Sequence, residues 1–278
     1  MKSFFVTGAS TGIGNATALR LAKTSRVFAG VRSEADYRAL GASGPNVVPV
    51  YLDVTDPSSI ARAKADVAAS TGGLLDGVVN NAGIVVAAPL EIIEPAEFRK
   101  QLDVNVVGPL LVTQAFLPLI RASKGRIVTI GSISGKFATP FTGAYSISKF
   151  AVEAMSDALR VELAPFGIRV ILIEPGPVKT PIWQRTQTAA TASMQRSAPE
   201  TLALYADSIA KMQRLASKLE SDGDDPDAVA AVVERALTAA YPRARYLVGT
   251  SARVQLLIAR LPEFIRDRLI LSAFAGAK

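Results

Sequence analysis

Short apolar runs alternate with stretches of helical periodicity over the first two thirds of the chain. Residues 3–7, 26–31, 47–52, 75–80, 126–130 and 169–174 read as strands, the third following a Gly44-Pro45 turn. Residues 11–23, about 57–70, 95–121 and 143–164 read as helices, with 95–121 holding one or two. Strands apolar on both faces, alternating with helices, imply right-handed βαβ units and a parallel sheet covered on both sides. After Pro175 the pattern changes. Residues 180–221 are polar and helical, with no strand, and 181–225 is a candidate lid. The segment SDGDDPD at 221–227 combines a helix stop and a new start, with Pro226 in a first turn. A helix over 227–240 and a strand over 245–248 follow, then a tail of amphipathic helix over 253–274, broken near Pro262. No internal repeat or linker interrupts the chain, so 1–278 reads as one α/β domain, a doubly wound parallel sheet of about seven strands.

Composition narrows the chemistry. The 278 residues include no cysteine and no histidine. Disulfides, thiolate sites, histidine metal sites and Ser-His-Asp hydrolysis are thereby excluded, and no metal site is expected. Acid–base work falls to Tyr, Lys, Asp or Glu. The net charge of +7 is not gathered into a dense basic block, and no nucleic-acid partner is expected. The N-terminus lacks a basic region followed by an apolar one, and no apolar run reaches the ~18 residues of a membrane span, so the expectation is a cytoplasmic protein. Six arginines lie between Arg243 and Arg268 against Glu263 and Asp267, together with Leu256, Leu257, Ile258, Phe264 and Ile265. That tail suits a membrane surface, a partner subunit or a cover over a pocket.

The segment FFVTGASTGIG places Gly8, Gly12 and Gly14 between the first strand and first helix. Glycines there permit a tight turn and close approach to a pyrophosphate, and the helix N-terminus offers free N–H groups. The spacing is TG-x-x-x-G-x-G. Downstream stand Asp53 in LDVTD, NNAG at 80–83, Asn105 in DVNVVG, GSISG at 131–135, YSISK at 145–149 and PGPVKT at 175–180. In order and spacing these resemble the short-chain dehydrogenase/reductase (SDR) family, closely over about 3–180, and most nearly its hydroxysteroid-dehydrogenase-like branch.

The resemblance implies a Rossmann fold, a nicotinamide cofactor and named roles. Gly8, Ser10, Thr11, Gly12, Ile13 and Gly14 would hold the cofactor phosphates. Asp53 would meet the adenine amino group and Val54 its face. Asn80 would line the adenosine ribose with its backbone groups, Ala82 and Gly83 would also bind the cofactor, and Asn81 would tie the fourth strand to its neighbours. Pro175 and Gly176 would turn the chain under the nicotinamide ring, Val178 would add a cofactor contact, and Thr180 would hydrogen-bond the nicotinamide carboxamide or the phosphates. Cofactor choice is read at the end of the second strand, where a carboxylate would grip a ribose 2′-OH. This chain has Val31 and then Arg32, which suits a 2′-phosphate and favours NADP(H) over NAD(H). Glu34 is the competing 2′-OH ligand.

Tyr145 and Lys149 are four apart on a helix and face the same way. A free tyrosine titrates at about 10, and a nearby ammonium lowers it. Tyr145 is therefore the expected general acid/base, and by the resemblance Lys149 also holds the nicotinamide ribose. Ser132 would hydrogen-bond the substrate oxygen, and Asn105 would hold a water that links Lys149 to solvent. The substrate would lie under Ile182, Trp183 and Met194, near Ile84, Phe137 and Phe141. Phe137 and Trp183, with Ser132 and Tyr145, are the chosen substrate contacts. They suggest a secondary alcohol, ketone or aldehyde on a lipid-, steroid- or aromatic-like body. Relatives pair through the helices holding Asn105 and Tyr145, which implies a homodimer or homotetramer. Two rival readings are an NAD-linked alcohol dehydrogenase and a nicotinamide sensor without turnover; sensors on this fold tend to lose the tyrosine or lysine, and both are kept here.

Overall fold

The computed structural model describes residues 1–184, 186, 187 and 198–276. Adjacent phenylalanines in the first strand set the layering. Side chains alternate across a strand, so Phe4 and Phe5 enter opposite cores, and both are fully buried. Phe4 packs with Val6, Val128, Ile171, Val229 and Val233, and Phe5 with Phe28, Val78, Phe116 and Ile127. Phe5 stacks on Phe116 with ring centroids 4.5 Å apart. Truncating either phenylalanine would cost about 3–5 kcal/mol.

The strands are β1 (Ser3–Val6), β2 (Arg26–Val31), β3 (Val47–Tyr51), β4 (Gly77–Asn80), β5 (Arg126–Ile130), β6 (Arg169–Pro175) and β7 (Arg245–Val248). They form one sheet in the order β3-β2-β1-β4-β5-β6-β7, and every pairing is parallel. Strand order reverses beside β1, whose Val6 pairs with Ala29 of β2 and Val79 of β4. The loops leaving these strands diverge there and open a crevice, the usual ligand position on such a sheet.

Helices α1 (Gly12–Leu21), α3 (Pro57–Thr71), α6 (Gly143–Leu163) and α8 (Pro226–Thr238) match expectation. Asp56 and Asp225 cap α3 and α8 through the N–H groups of Ser58 and Asp227, each with proline in the first turn. A helix α2 (Glu34–Gly41), capped by Ser33, adds an element that sequence periodicity leaves undrawn. The 95–121 segment is α4 (Pro95–Leu102), a π-helical turn at Asp103–Val107, and α5 (Gly108–Ser123). The joined run Pro95–Ser123 is long and apolar enough to cross a membrane. Its Val112, Phe116, Leu119 and Ile120 lie in the core against the sheet, which marks it as a core helix.

Within the expected lid, α7 spans Pro199–Ser221. Met194, expected in its roof, lies outside the described residues. The tail breaks at Pro262, as its position requires, into α9 (Thr250–Ala259) and α10 (Glu263–Gly276). Gln255 of α9 and Ile270 of α10 line the main cavity, so the tail covers the pocket.

Candidate active site

A cavity of about 950 Å³ occupies the crevice. Its first end lies at the β1–α1 turn. Gly8 and Gly12 have φ of +62° and +57°, conformations L side chains rarely adopt. A Cβ on Gly12 would come 2.9 Å from Thr180 Cγ2, and one on Gly8 2.8 Å from Ala82 Cα. The turn therefore sits against both the NNAG and PGPVKT segments, and bare backbone faces the cavity. Thr11 makes no side-chain cap, so the first N–H groups of α1 stay available to an anion. These features fit a pyrophosphate group.

Ser10, Thr11, Ile13, Arg32, Asp53, Val54, Ala82, Gly83, Pro175, Gly176, Val178 and Thr180 all line this cavity. Two expected cofactor residues do not. Gly14 lies behind the turn, where a Cβ would stand 2.3 Å from both Asn81 Nδ2 and Gly8 O, so glycine is needed for packing. Asn80 is buried, and its Nδ2 donates to Thr113 Oγ1 at 3.0 Å. Asn81 lines the cavity in its place while donating to Thr7 O and Gly8 O at 2.9 and 3.0 Å. A strand alternates its faces, so a one-residue step turns Asn80 inward.

Asp53 accepts from Thr55 N and Oγ1 through Oδ1, at 2.9 and 2.7 Å, so it caps its own turn as well as lining the cavity. Glu34 does not line the cavity; it bonds Arg38 at 2.7 Å and accepts from the Tyr51 hydroxyl. Asp36 does line it, in the first turn of α2 and hydrogen-bonded to Ser33 Oγ at 2.6 Å. No sequence signal singled it out.

The catalytic candidates converge at the middle of the cavity. Ser132 follows β5, and Tyr145 and Lys149 face it from α6. Lys149 Nζ donates to Ile130 O at 2.8 Å and stands 5.5 Å from the Tyr145 ring centroid. Burial pushes the Lys149 ammonium down to about 8. Burial also pushes the Tyr145 phenol above its usual value, partly offset by a hydrogen bond with Ser132. The expected depression of Tyr145 is thus not produced by these residues. Burial acts on both groups, disfavouring the charged lysine as well as the tyrosinate.

Asn105 sits in the π-helical turn, a device that shifts backbone carbonyls out of the regular ladder. Its side chain is committed elsewhere: Oδ1 accepts from Ile84 N at 2.9 Å, and Nδ2 donates to Ile84 O and Ser148 Oγ at 3.0 and 3.1 Å. Ser148, passed over in the sequence, is the joint: its hydroxyl also donates to Tyr145 O at 2.7 Å, tying Asn105 to the Tyr145 turn.

The far end is apolar. Ile84, Val85, Ala88, Phe137, Phe141, Ile182, Trp183, Ile209, Met212 and Leu215 line it, with hydroxyls and amides and, among the described residues, no charged side chain. Trp183 is pinned by a 2.9 Å bond from Nε1 to Val178 O.

A family model described as short chain dehydrogenase matches residues 2–191. A 3-amino-tetrahydro-pyrrolizinone reductase of Xenorhabdus hominickii is 38% identical, over 91% of this chain and 88% of its own. Retinol dehydrogenase 16 of Homo sapiens is 36% identical, over 97% and 87%. An NADPH-dependent 3-dehydrocapnine reductase of Ornithobacterium rhinotracheale is 34% identical, over 97% and 95%. Among solved structures, a Burkholderia cenocepacia short chain dehydrogenase in complex with NADP has a TM-score of 0.74 at 26% identity, covering 97% of this chain and 99% of its own. A Brucella melitensis 3-ketoacyl-(acyl-carrier-protein) reductase complexed with NADH has a TM-score of 0.71 at 26% identity, covering 89% and 96%. The chain belongs to the short-chain dehydrogenase/reductase family. It is an oxidoreductase that interconverts an alcohol and a carbonyl with NAD or NADP.

Proposed function

We propose that the protein is an NADP(H)-dependent reductase/dehydrogenase of apolar ketones, aldehydes or secondary alcohols, with Tyr145 as proton donor and acceptor. The observation that carries this reading is the single cavity joining a bare-backbone anion site, Arg32, the Ser132–Tyr145–Lys149 cluster and an uncharged apolar end. When bound, the nicotinamide supplies or accepts the hydride. The glycine turn and the N-terminus of α1 hold the diphosphate, Arg32 the 2′-phosphate, Asp53 and Val54 the adenine, and Lys149 the nicotinamide ribose. Ser132 orients the substrate oxygen. Tyr145, whose burial keeps its proton on, delivers that proton to the oxygen as charge develops there. Lys149, charged below about 8, holds the tyrosinate that remains.

The NADPH-dependent reductase among the relatives supports the cofactor assignment, and the retinol dehydrogenase supports an apolar substrate. Exposed Val107, Ile147, Phe150 and Val161, on the helical elements that carry Asn105 and Tyr145, support a homo-oligomer through that face. A cytoplasmic location completes the reading. The test follows nicotinamide absorbance over a panel of apolar ketones and aldehydes with NADPH and with NADH. Faster turnover with NADPH supports the assignment. Equal or faster turnover with NADH points to the NAD-linked alternative. Cofactor binding without turnover over the panel and the matching alcohols points to a sensor.

A further inference from the structure

Behind the catalytic cluster lies a buried group of charges that the proposed chemistry does not use. Lys136 follows the short turn Ile133–Gly135, which Ser132 caps by accepting from Ser134 N at 3.1 Å. Lys136 Nζ bonds Glu153 Oε2 at 2.6 Å and lies 2.9 Å from Glu174 Oε1. Glu153 is one helical turn beyond Lys149 on α6, and Glu174 directly precedes Pro175-Gly176 at the end of β6. One ammonium thus ties together the Ser132 turn, the Tyr145–Lys149 helix and the strand end beneath the cofactor. The fit is tight: a Cβ on Gly135 would come 3.0 Å from Lys149 O and 3.1 Å from Glu153 Cγ. None of these charged residues lines the cavity, so none touches substrate.

Two carboxylates sharing one lysine are under-compensated. Arg245 of β7 adds a 3.2 Å contact to Glu153 but is held more closely by Asp157 at 2.7 Å, and Asp157 is also held by Arg160. Among the described residues no cation besides Lys136 is within ion-pair range of Glu174. Glu153 and Glu174 are 8% and 4% exposed, and neither Oε1 has an aligned hydrogen-bond donor. Glu153 and Glu174 therefore crowd one ammonium, two buried carboxyl groups on a single shared lysine.

We propose that Lys136, Glu153 and Glu174 form a positioning clamp that registers Ser132 against Tyr145 and Lys149. Burial, and then the neighbouring Glu153 carboxyl, hold the Glu174 carboxyl up at about 7 despite Lys136. Lys136 meets a burial penalty of its own, which its bonds to Glu153 and Glu174 outweigh. The clamp rests on the reading that Ser132, Tyr145 and Lys149 do the chemistry, and it adds a proton whose loss near neutral pH loosens their register.

The test compares wild type, Lys136→Met, Lys136→Arg and Glu174→Gln on the carbonyl that wild type reduces fastest, across pH 5.5–8.5. Lys136→Met is expected to lower kcat by roughly tenfold to a hundredfold through misplacement, with KM and NADPH affinity by fluorescence little changed. Lys136→Arg should recover most of that loss. Glu174→Gln, an isostere of the neutral acid, should remove the fall in wild-type rate centred near 7 and keep the rate at low pH. A second readout needs no turnover. The native chain holds a proton that the unfolded chain releases between about 4.5 and 7, so wild-type stability falls as pH rises through that window. Glu174→Gln should flatten that slope in melting temperature. Wild-type kcat in Lys136→Met, or an unchanged pH slope of melting in Glu174→Gln, overturns the clamp. An active Tyr145→Phe control would instead remove the reading of Tyr145 and leave the melting result standing.

Discussion

Replacing Arg32 by alanine isolates the cofactor assignment. Arg32 leaves the end of β2 exposed and facing the cavity, and among the described residues no carboxylate is within ion-pair range of it. Glu34, the nearest competitor in sequence, is bound by Arg38 and Tyr51. Arg32 is therefore free to meet a phosphate. A charge-assisted hydrogen bond contributes about 1.5–3 kcal/mol. Solvent exposure lowers this to about 1–2 kcal/mol. At 1.36 kcal/mol per decade, that is a loss of roughly fivefold to thirtyfold in NADPH affinity. NADH, which has a hydroxyl at that position, should lose less than about twofold. Fluorescence titration of both cofactors into wild type and variant reads the difference directly, and added salt should narrow the wild-type gap. An equal loss for both cofactors, or none for NADPH, would refute the role given to Arg32.

Val31→Asp places a carboxylate at a buried, cavity-lining strand end and should reverse the preference toward NADH; a retained NADPH preference in the same titration counts against the reading. Gly14→Ala forces a Cβ to within 2.3 Å of Asn81 Nδ2 and Gly8 O, so melting should fall by at least several degrees and cofactor affinity with it, and a wild-type melting curve would contradict that packing. Lys149→Met should abolish turnover without loss of stability near pH 7. The depression from 10.5 to about 8 costs the native state roughly 3 kcal/mol there, against about 1–3 kcal/mol for leaving Ile130 O bare. Because the folded value is lowered, wild-type stability should rise between about pH 8 and 10.5, and the variant should lack that rise. Wild-type reduction should decline as pH passes about 8 and Lys149 loses its charge.

The sheet was legible because its causes are local. Apolar runs bounded by Gly, Pro and Asp mark each strand, and the alternation of Phe4 and Phe5 fills two cores at once. The motif residues Gly8, Ser132, Tyr145 and Lys149 fall on one cavity because each is fixed by its own strand end or helix turn. What was missed depends on contacts distant in sequence. Ser148 matters only because Asn105, 43 residues earlier, reaches it. Lys136 meets carboxylates 17 and 38 positions on, which no spacing rule pairs. Asn80 and Asn81 exchange places at the cavity through a single step of strand alternation, and the π turn at Asn105 has no signature in a helical pattern. Of the three readings open for the tail, the cover over the pocket is supported by Gln255 and Ile270, which line the cavity.

The proton role of Tyr145 is the claim on which the proposed mechanism turns, and Tyr145→Phe tests it most directly. The variant keeps the ring beneath Lys149 and loses only the hydroxyl. Single-turnover reduction by bound NADPH should slow by about 10²–10⁴, or roughly 3–5 kcal/mol, with NADPH affinity unchanged. A variant that reduces the carbonyl within a few fold of wild type, with cofactor bound equally well, would contradict the account.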